Sequence, residues 1–438
     1  MHDRRSAPAA RGRRGAAGAA SMTDEVAEPT TYPLLAAPAD GVPAVVDTER
    51  ALTQTAKALA GGEGPVAIDA ERASGFRYGN RAYLVQIRRE GSGTHLIDPI
   101  ACPDLSPVQD AIADVEWVLH AATQDLPCLA EVGLKPSRLF DTELGSRLAG
   151  LPRVGLAAVI EHYLGMTLAK EHSAVDWSER PLPQPWLSYA ALDVEVLVQV
   201  RDALAADLQE QGKWEWAEQE FHALTSFTGP PARQDPWRRT SGMHKIKNRR
   251  AIARVRELWL TRDTIAQRRD TSPGRVLPDA LLVEIANTAP KTPAELLALP
   301  SATSRRGRPH TGVARHQRDW LEAVRRVGSM ADADLPPATV RSDAPPPPRV
   351  WADRDPVAAA RLTEVRDDLA VFAEEHNLPV ENILTPDHLR RVLWDSANPL
   401  DAQTISAELT QLGARPWQIE VVTPMIVDAV SADLPTSE

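Results

Sequence analysis

The chain has 438 residues, enough for two or three domains that each bury a core. Its net charge is −11, yet Arg233 to Arg275 holds 13 Lys/Arg against 4 Asp/Glu, so an acidic protein keeps one strongly basic stretch. Two cysteines, Cys102 and Cys128, exclude a disulfide framework and zinc-finger spacing, which fits a reducing cytoplasm; no apolar run has the length of a membrane-spanning helix.

The first 22 residues are basic and Ala/Gly-rich, without the apolar run of a signal peptide. Residues 1–39 are expected to form a disordered tail, and Met22 offers an alternative start of translation. Ala44 to Asp47 reads as a short edge strand. Thr48 is placed to cap a helix through Leu52, Ala56 and Leu59, stopped by Gly61-Gly62. Strands follow at Pro65 to Glu71, Arg81 to Ile87 and Thr94 to Ile97, with Glu90-Gly91-Ser92-Gly93 as a turn, which predicts an antiparallel meander. A helix over Pro107–Ala113, a short strand at Glu116–His120 and a helix after it give the α/β half of a mixed sheet. A helical stretch is expected to begin at Phe140, another spans Leu156–Leu164, and residues 169–186 read as loop. Leu187 to Leu204 has strong helical spacing, continued over Asp202–His222. The expected α/β unit covers residues 40–225.

Trp237 to Arg269 reads as basic and helical. Leu277–Asn287, Thr292–Leu299 and Gln317–Val327 add short helices, with Thr292-Pro293-Ala294-Glu295 a capping sequence. This predicts a helical domain over 233–330. Pro345 to Pro348 marks 331–350 as a Pro-rich linker. About four amphipathic helices are expected in a last domain, 351–432.

Three places carry chemistry. Side chains alternate along a strand, so Ala67, Asp69 and Glu71 share one face and Val66 and Ile68 the other. Two carboxylates aimed the same way repel each other unless a cation lies between them, and Mg²⁺ or Mn²⁺ prefers such hard oxygen ligands. Asp125 follows the strand at 116–120; alone it reads as a helix N-cap. Tyr189 and Asp193 lie four apart on one helical face; alone they read as a core-edge tyrosine and a solvated acid. Each feature is weak by itself, and the combination in this order is what signifies.

Asp-x-Glu, then Asp, then Tyr-x-x-x-Asp resembles the DEDD exonucleases, and the tyrosine places the chain with the DEDDy subgroup. Val66-Ala67-Ile68-Asp69-Ala70-Glu71, Tyr83-Leu84-Val85-Gln86-Ile87 and His120-Ala121-Ala122-Thr123-Gln124-Asp125-Leu126 resemble the ribonuclease D family more closely still. So do Phe140-Asp141-Thr142 and Asp176-Trp177-Ser178-Glu179-Arg180-Pro181-Leu182. Trp237-Arg238-Arg239, Arg256 to Asp263 and Val276 to Asp279 look like an HRDC domain. The resemblance implies a ribonuclease-H-like α/β exonuclease domain followed by all-α domains. It implies metal-dependent 3′→5′ hydrolysis of RNA to nucleoside 5′-monophosphates, in processing of tRNA or other structured RNA, with two divalent ions, Mg²⁺ or Mn²⁺. By carry-over, Asp69 bridges the ions, Glu71 and Asp193 complete one site, Asp125 supports the second, and Tyr189 orients the water. Trp237, Lys245, Lys247, Arg249, Arg250, Arg254 and Arg256 are then candidates to track an RNA backbone. The alternatives are a DNA exonuclease using the same acids and an inactive RNA-binding scaffold; a monomer without membrane attachment is expected.

Two departures stand out. Arg72 follows Glu71 where the family often has an apolar residue, a change expected to act on the terminal base or sugar rather than on the metals. Arg77, Asn80 and Arg81 make the next loop basic, a feature read as solvated more readily than as a phosphate guide.

Overall fold

The computed structural model describes residues 32–169, 175–303, 310–339, 343–394 and 400–432. The tail expected to be disordered lies outside them up to residue 31. From residue 32 it is ordered: β1 (Leu34–Leu35) pairs in parallel with β8 (Thr167–Leu168), and the Ala39 amide donates to Glu195.

A six-stranded mixed sheet carries the α/β unit. Its strands are β2 (Val45–Val46), β3 (Glu63–Arg72), β4 (Ala82–Glu90), β5 (Gly93–Ile97), β6 (Glu116–Leu119) and β7 (Arg138–Asp141), in the order β2-β5-β4-β3-β6-β7. The meander β3-β4-β5 is antiparallel, while β6 runs parallel to β3 and β7 parallel to β6. The expected edge strand is β2. Strand β7 is a correction to the sequence reading, which began a helix at Phe140. The strand is only four residues long, and its last residue, Asp141, caps the next helix by accepting from the Glu143 and Leu144 amides.

Alternation along β3 divides two cores. Val66, Ile68 and Ala70 pack with α1 (Glu49–Ala60), α2 (Ser106–Ala111) and α3 (Leu126–Glu131). Thr48 caps α1 through the Ala51 amide, as its position predicts. The opposite face packs on helices that follow α4 (Thr142–Leu148) and α5 (Leu156–Leu164). Ala67 and Val118 meet Val194 of α6 (Gln184–Glu195) and Leu197 of α7 (Leu197–Glu210). The single helical run expected from Leu187 breaks at Val196, but the apolar spacing carries across the break. A second break, at Gln211–Lys213, precedes α8 (Trp214–Leu224).

The basic stretch is not one helix. Short 3-10 turns at Pro236–Arg239 and Met243–Lys245 come first, and Gly242 between them has φ +90°. Asn248 then caps α9 (Arg249–Arg268) through the Ala251 amide. Helices α10 (Pro273–Val276), α11 (Asp279–Thr288), α12 (Pro293–Leu297), α13 (Thr311–Arg315) and α14 (Gln317–Gly328) close around a core centred on Leu258, Leu282 and Trp320. Thr292 caps α12 with Pro293 at its first position.

The last helices are α15 (Trp351–Arg354), α16 (Pro356–Glu375), α17 (Val380–Ile383), α18 (Pro386–Leu393), α19 (Ala402–Gln411) and α20 (Pro416–Ser431). They do not build a core apart. Leu369, Ile405 and Trp417 join Phe140, Leu204 and Phe221 of the α/β unit in one apolar cluster. Trp216 stacks on Trp417 at 4.9 Å, and the Trp417 indole donates to Glu220. The described part of the Pro-rich segment is also fixed. Arg390 donates to the carbonyls of Pro345 and Pro346, the Trp351 indole donates to Pro346, and Leu335 is buried against Ala253 and Val327.

Candidate active site

Strand β3 ends beneath α6, and the carboxylates meet there. Asp69, Glu71 and Asp193 each offer an oxygen within 4.8 Å of the other two. These oxygens face a cleft of about 380 Å³ that Asp125, Tyr189 and His120 also line. Three half-buried acids this close cannot all ionise unaided. Burial pushes Glu71 up to about 10, and Asp69, Asp193 and Asp125 push in the same direction. Burial likewise raises Asp69, Asp125 and Asp193. A hard divalent cation answers this donor set, because it replaces carboxylate repulsion by attraction.

Asp125 stands apart from the three. It occupies the N-cap position of α3, as its place in the sequence suggests, but its side chain makes no cap bond. Its carboxylate is instead 3.3 Å from the Arg72 guanidinium. The turn that presents it is fixed from below. Ala121 adopts φ +58°, a left-handed conformation that L residues rarely hold. The Asp141 carboxylate accepts from the Ala121 and Ala122 amides as well as from Glu143 and Leu144. Asp141 therefore ties the turn before Asp125 to the start of α4.

Tyr189 donates a hydrogen bond to Asp193, which favours the ionised carboxylate. Burial and then the charges of Asp193, Glu71 and Asp69 raise its own pKa above the ordinary phenol value. The phenol thus keeps its proton at neutral pH and serves as a donor, not as a base. His120 continues β6 beside β3. The Thr142 hydroxyl donates to the Leu119 carbonyl, so it accepts from His120 Nδ1 at 2.9 Å, and Nε2 is left as an acceptor. Burial lowers His120 to about 4, which keeps the ring neutral at pH 7.

Comparison with known proteins agrees with this geometry. The 3'-5' exonuclease family matches residues 43–209, the HRDC domain residues 251–324, and the 3' to 5' exonuclease C-terminal domain residues 344–430. Ribonuclease D of Granulibacter bethesdensis is 32% identical over 314 residues, covering 69% of this chain and 73% of that protein. The chain belongs to the ribonuclease D family. Ribonuclease D of Gluconacetobacter diazotrophicus is 30% identical over 336 residues, covering 75% of this chain and 80% of that one. A crystal structure of a protein from Bifidobacterium adolescentis is 38% identical, with TM-score 0.82, and covers 92% of this chain and 100% of its own. RNase D of Escherichia coli, at 22% identity, has the same fold, with TM-score 0.63 over 89% of this chain and 99% of its own. As a member of the ribonuclease D family this chain is a 3′→5′ exoribonuclease.

The cations expected to track RNA are placed differently from one another. Trp237 is buried, and its indole donates to Asp235 while Arg238 lies over the ring, so no face is open for a base. Arg249 donates to the carbonyls of Asp332, Leu335 and Pro336, and Arg250 to those of Val327 and Met330. Arg254 donates to Ala286, and Arg256 pairs with Glu257. These four hold the domain together. Lys245 and Lys247 are exposed, without an ion pair among the described residues.

The basic loop after β3 is exposed at Asn80 and Arg81, yet it is docked as well. Arg77 and Arg81 both approach Asp270, Tyr78 donates to Asp263, and Arg275 donates to Gly75 while covering Phe76. The loop that leaves Glu71 is therefore docked on the HRDC domain. The sequence reading passed over His120 and Asp141 as site residues although both sit in quoted motifs. Their signal, a histidine ending a strand and an acid between a strand and a helix, is too common to stand out.

Proposed function

We propose that this enzyme shortens structured RNA from the 3′ end, with Asp69, Glu71 and Asp193 holding one divalent cation and Asp125 contributing to a second. The observation that carries this is the convergence of three half-buried carboxylates within 4.8 Å in a cleft that Asp125 and Tyr189 complete. When bound, Mg²⁺ or Mn²⁺ would neutralise the carboxylates and stabilise the charge that builds on the attacking and leaving oxygens. The chain's own residues set the geometry. Asp69 belongs to the cluster and is also the acid whose charge weighs most on Asp125, so it is suited to serve both cations. Tyr189, protonated, orients Asp193 and the water that attacks the phosphorus. Hydrolysis of the last phosphodiester releases a nucleoside 5′-monophosphate and leaves a new 3′-hydroxyl.

The RNase D of Escherichia coli is described as an exoribonuclease involved in structured RNA processing, and tRNA precursors fit that class. Lys245 and Lys247 are the exposed cations we assign to the RNA backbone; such contacts position without reading sequence. Two unpaired, buried cysteines suit the cytoplasm. The test is a 3′-extended RNA labelled at its 5′ end, beside single-stranded DNA of the same sequence, with Mg²⁺, Mn²⁺ or chelator. The expected result is a ladder that retreats from the RNA 3′ end, needs the cation, prefers RNA, and falls at least about a thousandfold in Asp69→Ala. Equal activity of Asp69→Ala would remove the acids from the chemistry.

A further inference from the structure

Among the described residues that line the acidic cleft, Arg72 is the one Lys or Arg. It closes β3, and alternation sends it to the face opposite Asp69 and Glu71. The ladder with β4 shifts register between Glu71 and Arg72, which releases the end of the strand. From there the guanidinium crosses the strand end to the turn before α3. Nη1 donates to the Gln124 carbonyl at 2.8 Å. Nη2 lies 3.3 Å from Asp125 Oδ1. Asp125 Oδ2 has no protein partner among the described residues. The arginine side chain is 27% exposed and the aspartate 6%. The pair is thus anchored at the acid and open at the base.

We propose that Arg72 is a positioning residue for the second cation: it fixes Asp125 through Oδ1, leaves Oδ2 for the ion, and sets by its charge how readily that ion binds. The proposal rests on the reading of the acids as a cation centre. Two physical consequences follow, with opposite signs. Without a cation, Arg72 offsets repulsion among four carboxylates and stabilises the chain. With a cation, the same positive charge opposes it, so Arg72 raises the concentration needed to fill the second position. The departure from an apolar residue at this place therefore acts on the metal centre, not on the base or sugar.

The test uses the full chain without RNA. Mn²⁺ binding is followed by titration calorimetry, and unfolding is followed in chelator, for wild type, Arg72→Gln and Arg72→Lys. Arg72→Gln is expected to tighten the weaker Mn²⁺ event about tenfold, a size suited to a partly exposed charge. It is also expected to melt at lower temperature in chelator. Arg72→Lys, which keeps the charge, stays within about threefold of wild type. An unchanged or weaker second event in Arg72→Gln overturns the proposal. So does a loss of melting temperature in Arg72→Gln that is undiminished when Asp125→Asn is already present, since the contact that matters would then be the Gln124 carbonyl. A wild-type chain that takes up no Mn²⁺ ends the cation-centre reading itself, and this is seen before any variant is compared.

Discussion

Glu71 feels the charges of three neighbouring acids in the cleft, and its titration gives a signed expectation. An ordinary glutamate titrates near 4.5, and burial with three neighbouring acids moves Glu71 up to about 10. Between those values the folded, cation-free chain holds a proton that the unfolded chain has lost. The folded form is favoured fully below the lower value and loses that advantage as pH rises toward the upper one. Asp69, Asp125 and Asp193 shift in the same direction. His120, lowered to about 4, works the other way but is neutral in both states above its ordinary range. In chelator, melting temperature should therefore fall from about pH 7 to 9, and saturating Mn²⁺ should flatten the slope. Equal slopes with and without the ion would contradict the account. Asp141 makes a second residue-scale case. Its carboxylate serves four amides, two of them at the strained turn before Asp125. Asp141→Ala should cost roughly 2–4 kcal/mol in denaturant unfolding and lower kcat more than tenfold as Asp125 shifts.

At the scale of elements, β3 shows what could be read from the chain alone. Val66 and Ile68 sort to one core and Ala67 to the other, as alternation requires, and Asp69 and Glu71 follow Ala67 to the catalytic face. The i, i+4 spacing likewise placed Tyr189 with Asp193 on α6. Strand β7 was not legible. Leu139 and Phe140 give too short an apolar run to separate strand from helix, and the deciding fact, its pairing with β6, is non-local. The basic stretch failed for the same reason. Its charge is plain in the sequence, but the carbonyls that engage Arg249 and Arg250 come from residues 327–336, at the end of α14 and just after it. Arg249→Ala should thus destabilise the HRDC domain by about 1–3 kcal/mol and leave RNA affinity within twofold. Replacing Lys245 and Lys247 together by Ala should instead weaken RNA binding and reduce its salt dependence, read from binding isotherms at several salt concentrations. The reverse pattern would return the arginines to the RNA path.

At the scale of the molecule, the α/β unit is held on two sides. The loop after Glu71 is clasped by the HRDC domain through Tyr78–Asp263 and Arg275–Phe76. The C-terminal helices share an apolar core with α4, α7 and α8, and Asn377 packs so closely on Gly150 that a Cβ there would meet it. Neither helical domain is therefore a loose appendage, although composition and the Pro-rich segment read as beads on a string. What composition could not show is that apolar faces of α16 and α20 complete a core begun near residue 140. The proposed metal acids Asp69 and Glu71 sit at the end of the central strand β3, and Asp125 and Asp193 reach the same cleft from the start of α3 and from α6. The most direct measurement is the chemical identity of the product from RNA labelled within its 3′-terminal nucleotide. The account predicts a labelled nucleoside 5′-monophosphate as the first product, formed only with divalent cation and absent with Asp69→Ala. A nucleoside 3′-monophosphate, or a labelled oligonucleotide released from an internal cut, would contradict it.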